Sequence, residues 1–135
     1  MVRDPHQPTQ IISGHKDVAE LLQGYFKNHD REEFVVVCLD QKHKVSVINS
    51  VSTGSLSETL VHPREVFKAA ILANSAAIII AHNHPSGDTT PSAEDKILTT
   101  RLREAGKILG IELLDHIIIG DPGTTFSFVE MGLTT

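Results

Sequence analysis

The stretch Ile78–Asp95, IIIAHNHPSGDTTPSAED, decides how this chain is read. It opens as a β-branched apolar run and so reads as a buried strand, 76–82. In a strand, residues two apart share a face, so His82 and His84 project together where the strand leaves its sheet. The next eight residues, PSGDTTPS, turn the chain. A helix beginning near Ala93 then carries Asp95 in its first turn, facing back across the loop. Two imidazoles and a carboxylate suit a divalent metal. Three protein ligands leave the fourth tetrahedral position of zinc open, the catalytic rather than the structural arrangement. SAED is also a capping box in which Ser92 bonds the backbone at Asp95, and such a cap would hold Asp95 in place. Asp88 is a further candidate ligand, although after Gly87 in this turn-rich stretch it reads first as a turn residue.

Outward from this stretch, helices alternate with strands. DVAELLQGYF places Val18, Leu21, Leu22, Tyr25 and Phe26 at helical spacing. EFVVVCLD is a continuous buried strand, QKHK a turn, and VSVINSVSTG an antiparallel partner. HPREVFKAAILAN is a second helix with Pro63 at its first position and Val66, Phe67, Ala70 and Ile71 as the inward stripe. After the loop, a long helix runs to Gly110, which follows the last periodic residue as its C-cap. IELLDHIIIG is a fourth strand and TFSFVEMG a short final strand. The alternation predicts an α/β sandwich around one mixed sheet. Residues 1–10 read as a polar leader and 11–135 as a single domain. Asp115 and His116 lie inside the fourth strand, either supporting the two histidines from behind or sitting at the strand's edge.

Composition narrows the function. The chain has 135 residues, 40% of them hydrophobic, enough for a single core of its own. No apolar run approaches the length of a membrane span. The first ten residues lack the apolar segment of a signal peptide, which points to the cytoplasm. One cysteine, Cys38, excludes an internal disulfide and a cysteine-based zinc cluster; it reads as a small buried hydrophobe. Twelve basic against seventeen acidic residues give a net charge of −5. That does not support a nucleic-acid surface built on phosphate contacts, and Arg101, Arg103 and Lys107 read as a solvated helix face. Assembly into a homo-oligomer is left open.

The pattern His82-x-His84, seven residues, Ser92, two residues, Asp95 matches the signature of the JAMM (MPN+) metalloproteases, and the text from Gly54 to Gly120 closely resembles the bacterial RadC family. The resemblance runs from about Gln10 to Glu130. It implies a JAB/MPN-type, cytidine-deaminase-like three-layer sandwich around a mixed β-sheet. It implies a Zn2+ site of His82, His84, Asp95 and water, with Ser92 stabilising the oxyanion. The general base of the pattern corresponds to Glu32 in EEFVVVCLD, or to Glu33 if that strand is offset by one residue. Two departures stand out. Asn83 occupies the place of Ser or Thr in eukaryotic JAMM peptidases, and the helix-hairpin-helix segment that precedes many RadC domains is not expected here.

What the resemblance implies is zinc-dependent amide hydrolysis of a peptide or protein substrate. A zinc deaminase would need a Cys-x-x-Cys pair, and 135 residues are too few for a metal-dependent TIM barrel. The rival reading is a non-catalytic module, DNA-repair-associated or protein-binding, that keeps the fold.

Overall fold

A computed structural model of the chain describes residues 11–26, 32–53, 61–84, 86–120 and 124–132. The leader expected over residues 1–10 lies outside them. Helix α1, His15–Phe26, precedes strands β1, Glu33–Leu39, and β2, Val45–Thr53. Helix α2, Pro63–Leu72, leads into β3, Ala77–Asn83. Helix α3, Ala93–Leu109, is followed by β4, Glu112–Ile119, and β5, Thr125–Ser127. The five strands form one sheet in the order β2-β1-β3-β4-β5. β3 pairs antiparallel with β1 and parallel with β4, so the sheet is mixed as the alternation predicts.

The apolar runs fix which strands are central. Every residue of β1 and β3 is buried, as continuous runs without a polar face require. Alternation then splits them between two cores. Phe34, Val36, Cys38, Ile78 and Ile80 pack with Val66, Phe67 and Ala70 of α2 and Leu102 of α3. Val35, Val37, Leu39, Ile79 and Ala81 pack with Val18, Leu22 and Phe26 of α1 on the other face. The molecule is therefore a three-layer α/β/α sandwich. The β1–β2 hairpin is closed by Asp40, whose Oδ1 accepts the backbone N–H groups of Lys42 and Lys44, while His43 takes the left-handed conformation.

One expectation needs correction. Ile71 is not part of the inward stripe of α2; it is 55% exposed, and Ala69 is buried in its stead. At 3.6 residues per turn the buried arc runs from Ala69 through Val66 and Ala70 to Phe67, and Ile71 lies about 40° beyond its Phe67 edge.

The site depends on how α3 returns to the sheet. Gly110 ends α3 with φ 73, and the Ile111 N–H donates to the Gly106 carbonyl. A Cβ on Gly106 would lie 2.3 Å from the Ile111 carbonyl oxygen and against Phe67. Alanine normally favours a helix over glycine by about 1 kcal/mol, but here the clash is with backbone. Gly106→Ala is expected to lower the unfolding free energy by roughly 1–3 kcal/mol in urea titration. Gly24→Ala in α1, where a Cβ meets nothing within 4 Å, is expected to raise it by up to about 1 kcal/mol.

Candidate metal centre

His82 sits at the end of β3, wholly buried, one residue before the last of the strand. Its position follows from pairing on both sides: Phe34 of β1 and Ile118 of β4 are its register partners. The intervening Asn83 is buried, and its Oδ1 accepts the Glu33 N–H at 2.7 Å. An amide can reach the neighbouring strand in this way, which gives Asn83 a structural use. His84 leaves the sheet but stays tied to it, since its N–H donates to the Ile119 carbonyl.

The two rings meet at Nε2, 2.9 Å apart. His84 Nδ1 lies 2.6 Å from the Asp88 carbonyl oxygen. A carbonyl only accepts, so Nδ1 carries the hydrogen and a neutral His84 offers the lone pair of Nε2. Asp95 faces both rings, with Oδ1 3.5 Å from His82 Nε2 and Oδ2 3.9 Å from His84 Nε2. One ligand atom from each of the three residues falls within 4.8 Å of the others. Donors of this kind, gathered this closely around a common point, suit a divalent cation and in particular zinc. Burial opposes ionisation of Asp95. The adjoining His82 ring, the Ser92 N–H and the nearby His116 outweigh it, so the carboxyl sits well below the usual carboxylate range.

Asp95 is held by the capping box read from SAED. Ser92 Oγ accepts the Asp95 N–H at 3.0 Å, and Asp95 Oδ2 accepts the Ser92 N–H at 2.8 Å. Ser92 is exposed, and as a cap it uses a lone pair, not its hydrogen. Asp88 is outside the cluster. Its Oδ1 accepts the Thr90 N–H, the turn role that its sequence context suggests.

The two glutamates separate. Glu33 Oε2 accepts the Tyr25 hydroxyl at 2.7 Å, a contact with α1 and hence on the sheet face opposite α3. Burial, together with Glu33, pushes the Tyr25 hydroxyl far above its ordinary pKa. Glu32 stands one residue ahead of β1 and is half-buried.

Behind the three residues lies a layer that spacing does not reveal. His116, wholly buried on β4, places Nε2 2.9 Å from His82 Nδ1 and Nδ1 2.6 Å from Thr99 Oγ1. Its ring stacks on Phe128 at 4.5 Å. Burial holds it well below the usual histidine range; His82 and His84 act in the same sense and Asp95 opposes them. Of the pair left open in the sequence, His116 backs the cluster. Asp115 accepts from the Ser127 hydroxyl and the Val129 N–H and so ties down the chain after β5. Gly120 likewise carries no signal in the sequence pattern. A Cβ there would lie 2.4 Å from the Gly87 carbonyl oxygen and 2.6 Å from Thr89, so its lack of a side chain lets the histidine loop lie flat on β4.

A family model described as a RadC-like JAB domain matches residues 12–133. Similar proteins include a UPF0758 protein of Rubrobacter xylanophilus, 50% identical over 98% of this chain and 57% of its own length. One from Desulfitobacterium hafniense is 56% identical over 82% of this chain and 49% of its own. One from Methanosarcina mazei is 49% identical over 85% and 50%. The chain thus spans about half the length of the curated relatives it matches.

Two expected outcomes follow from this geometry. Ser92→Ala removes the cap acceptor but leaves the backbone N–H on Asp95, so thermal unfolding should show a loss of about 1 kcal/mol with zinc uptake unchanged. Gly120→Ala displaces the loop that seats His84, so a competition titration against a zinc chelator should show affinity about tenfold weaker.

Proposed function

This chain belongs to the RadC-like JAB domain family, and on that premise we propose that it is a zinc-dependent hydrolase of the JAMM type, cleaving a peptide or isopeptide bond in a protein substrate. The observation that carries the reading is the convergence of His82, His84 and Asp95, one ligand atom each, within 4.8 Å. Their atoms fit the ion in chemistry: two imidazole nitrogens and a carboxylate kept ionised, the three-ligand set that leaves a catalytic position open. Bound there, zinc would supply Lewis acidity toward a carbonyl and bring the pKa of a water toward about 7.

The chain's own residues do the rest. Glu32 acts as the general base, accepting the proton of the attacking water and returning it to the departing amine. Two features support Glu32 over its neighbour. Phe34 is the register partner of His82, with the rings 5.9 Å apart, and strand alternation carried back two residues puts Glu32 on the same side. Glu33 is engaged by Tyr25 on the other side. The Ser92 hydroxyl, exposed beside the cluster with its hydrogen not used by the cap, donates to the oxyanion of the tetrahedral intermediate. A donor in that role is worth roughly 3–4 kcal/mol of transition-state stabilisation.

Purified protein never exposed to chelator should carry one zinc per chain by plasma emission analysis, and His82→Ala or His84→Ala should abolish it. Against a library of peptide and isopeptide conjugates, cleavage should stop on chelation and return with zinc. Glu32→Gln should keep zinc and fold while lowering turnover at least about a hundredfold, since an amide accepts no proton. A wild-type protein that takes up no zinc removes the hydrolase reading. One that binds zinc and cleaves nothing supports the module that keeps the fold without catalysis.

A further inference from the structure

We infer that Thr99 and His116 are positioning residues that dictate which nitrogen of His82 is presented to a metal ion. The inference rests on the metal reading above and extends it to residues that touch no ligand position. It follows from counting hydrogens along one buried chain of contacts.

The chain starts at the Asp95 backbone. Thr99, one turn further along α3, places Oγ1 2.7 Å from the Asp95 carbonyl oxygen and 2.6 Å from His116 Nδ1. The carbonyl can only accept, and a hydroxyl has one hydrogen. That hydrogen goes to Asp95, so Oγ1 must accept from His116 Nδ1. His116 is wholly buried and flanked by aromatic rings, where an imidazole holds a single ring hydrogen. With that hydrogen on Nδ1, its Nε2 is an acceptor, and the His82 Nδ1 lying 2.9 Å away donates to it. His82 is thereby left with Nε2 as its ligand atom, and Nε2 is the nitrogen that faces His84 and Asp95.

The opposite arrangement is disfavoured at the Thr99 end and excludes a cation at the His82 end. Turning the Thr99 hydrogen toward His116 sets two lone pairs against each other at the Asp95 carbonyl. It also passes a hydrogen down the chain to His82 Nε2, in the place a metal would take. Thr99, His116 and His82 are buried, so water cannot repair such a mismatch. Stacking of His116 on Phe128 with an 11° interplanar angle keeps the ring from flipping out of the chain. The same helix turn that supplies Asp95 as a ligand therefore also sets the tautomer of His82.

The test uses zinc itself as the probe. Apo-protein is titrated with Zn2+ against a competing chelator, with circular dichroism to confirm folding. Thr99→Val, equal in shape but without the hydroxyl, should bind about 10–100-fold more weakly. Thr99→Ser, which keeps the hydroxyl, should recover wild-type affinity. A second readout needs no variant: long-range 1H–15N spectra of the zinc-loaded wild type should show His82 protonated at Nδ1 and coordinated at Nε2. Equal affinities for wild type and Thr99→Val, or coordination of His82 through Nδ1, would overturn this inference and leave the hydrolase reading standing. Failure of the wild type to bind zinc would overturn both.

Discussion

A fully buried imidazole at the end of the central strand sets the terms for everything around it. His82 has neighbouring strands on both sides and no access to solvent. Each of its nitrogens must find a partner inside the protein, because an unpaired polar group there costs about 1–3 kcal/mol. Nδ1 meets His116 on β4, while Nε2 meets His84 and Asp95. One ring thus joins the strand that carries it, the next strand and the helix between them. The local geometry cannot drift without breaking a buried hydrogen bond.

Asp95 reaches this ring because of how α3 begins and ends. The capping box fixes the carboxylate at the first turn, and the closely packed Gly106 and left-handed Gly110 let the helix turn back into β4. The carboxylate and the strand behind it are thus placed by the two ends of one helix. The loop that joins His84 to Asp95 lies on Gly120, where no side chain larger than hydrogen fits. The cap is worth about 1 kcal/mol in stability and the close helix packing roughly 1–3 kcal/mol. Together they specify the position of one carboxylate.

The face opposite the site explains the fate of the second glutamate. Residues adjacent in a strand face opposite ways. Glu33 therefore belongs with α1, where the Tyr25 hydroxyl bonds it, and Asn83 completes the junction by accepting the Glu33 N–H. The beginning of β1 is stitched to β3 beside the histidines.

The sequence by itself determined the alternation of helices and strands, the burial of β1 and β3, and the shared direction of His82 and His84. Each is a matter of periodicity or β-branching, which act over a few residues. It also determined the capping box, since both partners lie within four positions. The inward stripe of α2 was legible only in part: composition marks Ile71 as core material, but the rotation of the helix against the sheet leaves it outside. Thr99 and Gly120 were not legible as parts of the site, and His116 was legible only as one of two alternatives. His116 is 34 residues from His82, and Gly120 is as far removed from the loop it seats. Their proximity comes from the parallel pairing of β3 with β4 across α3, and no local pattern encodes it. Which hydrogen sits on which nitrogen was decided last of all, because it depends on every donor and acceptor in the buried chain at once.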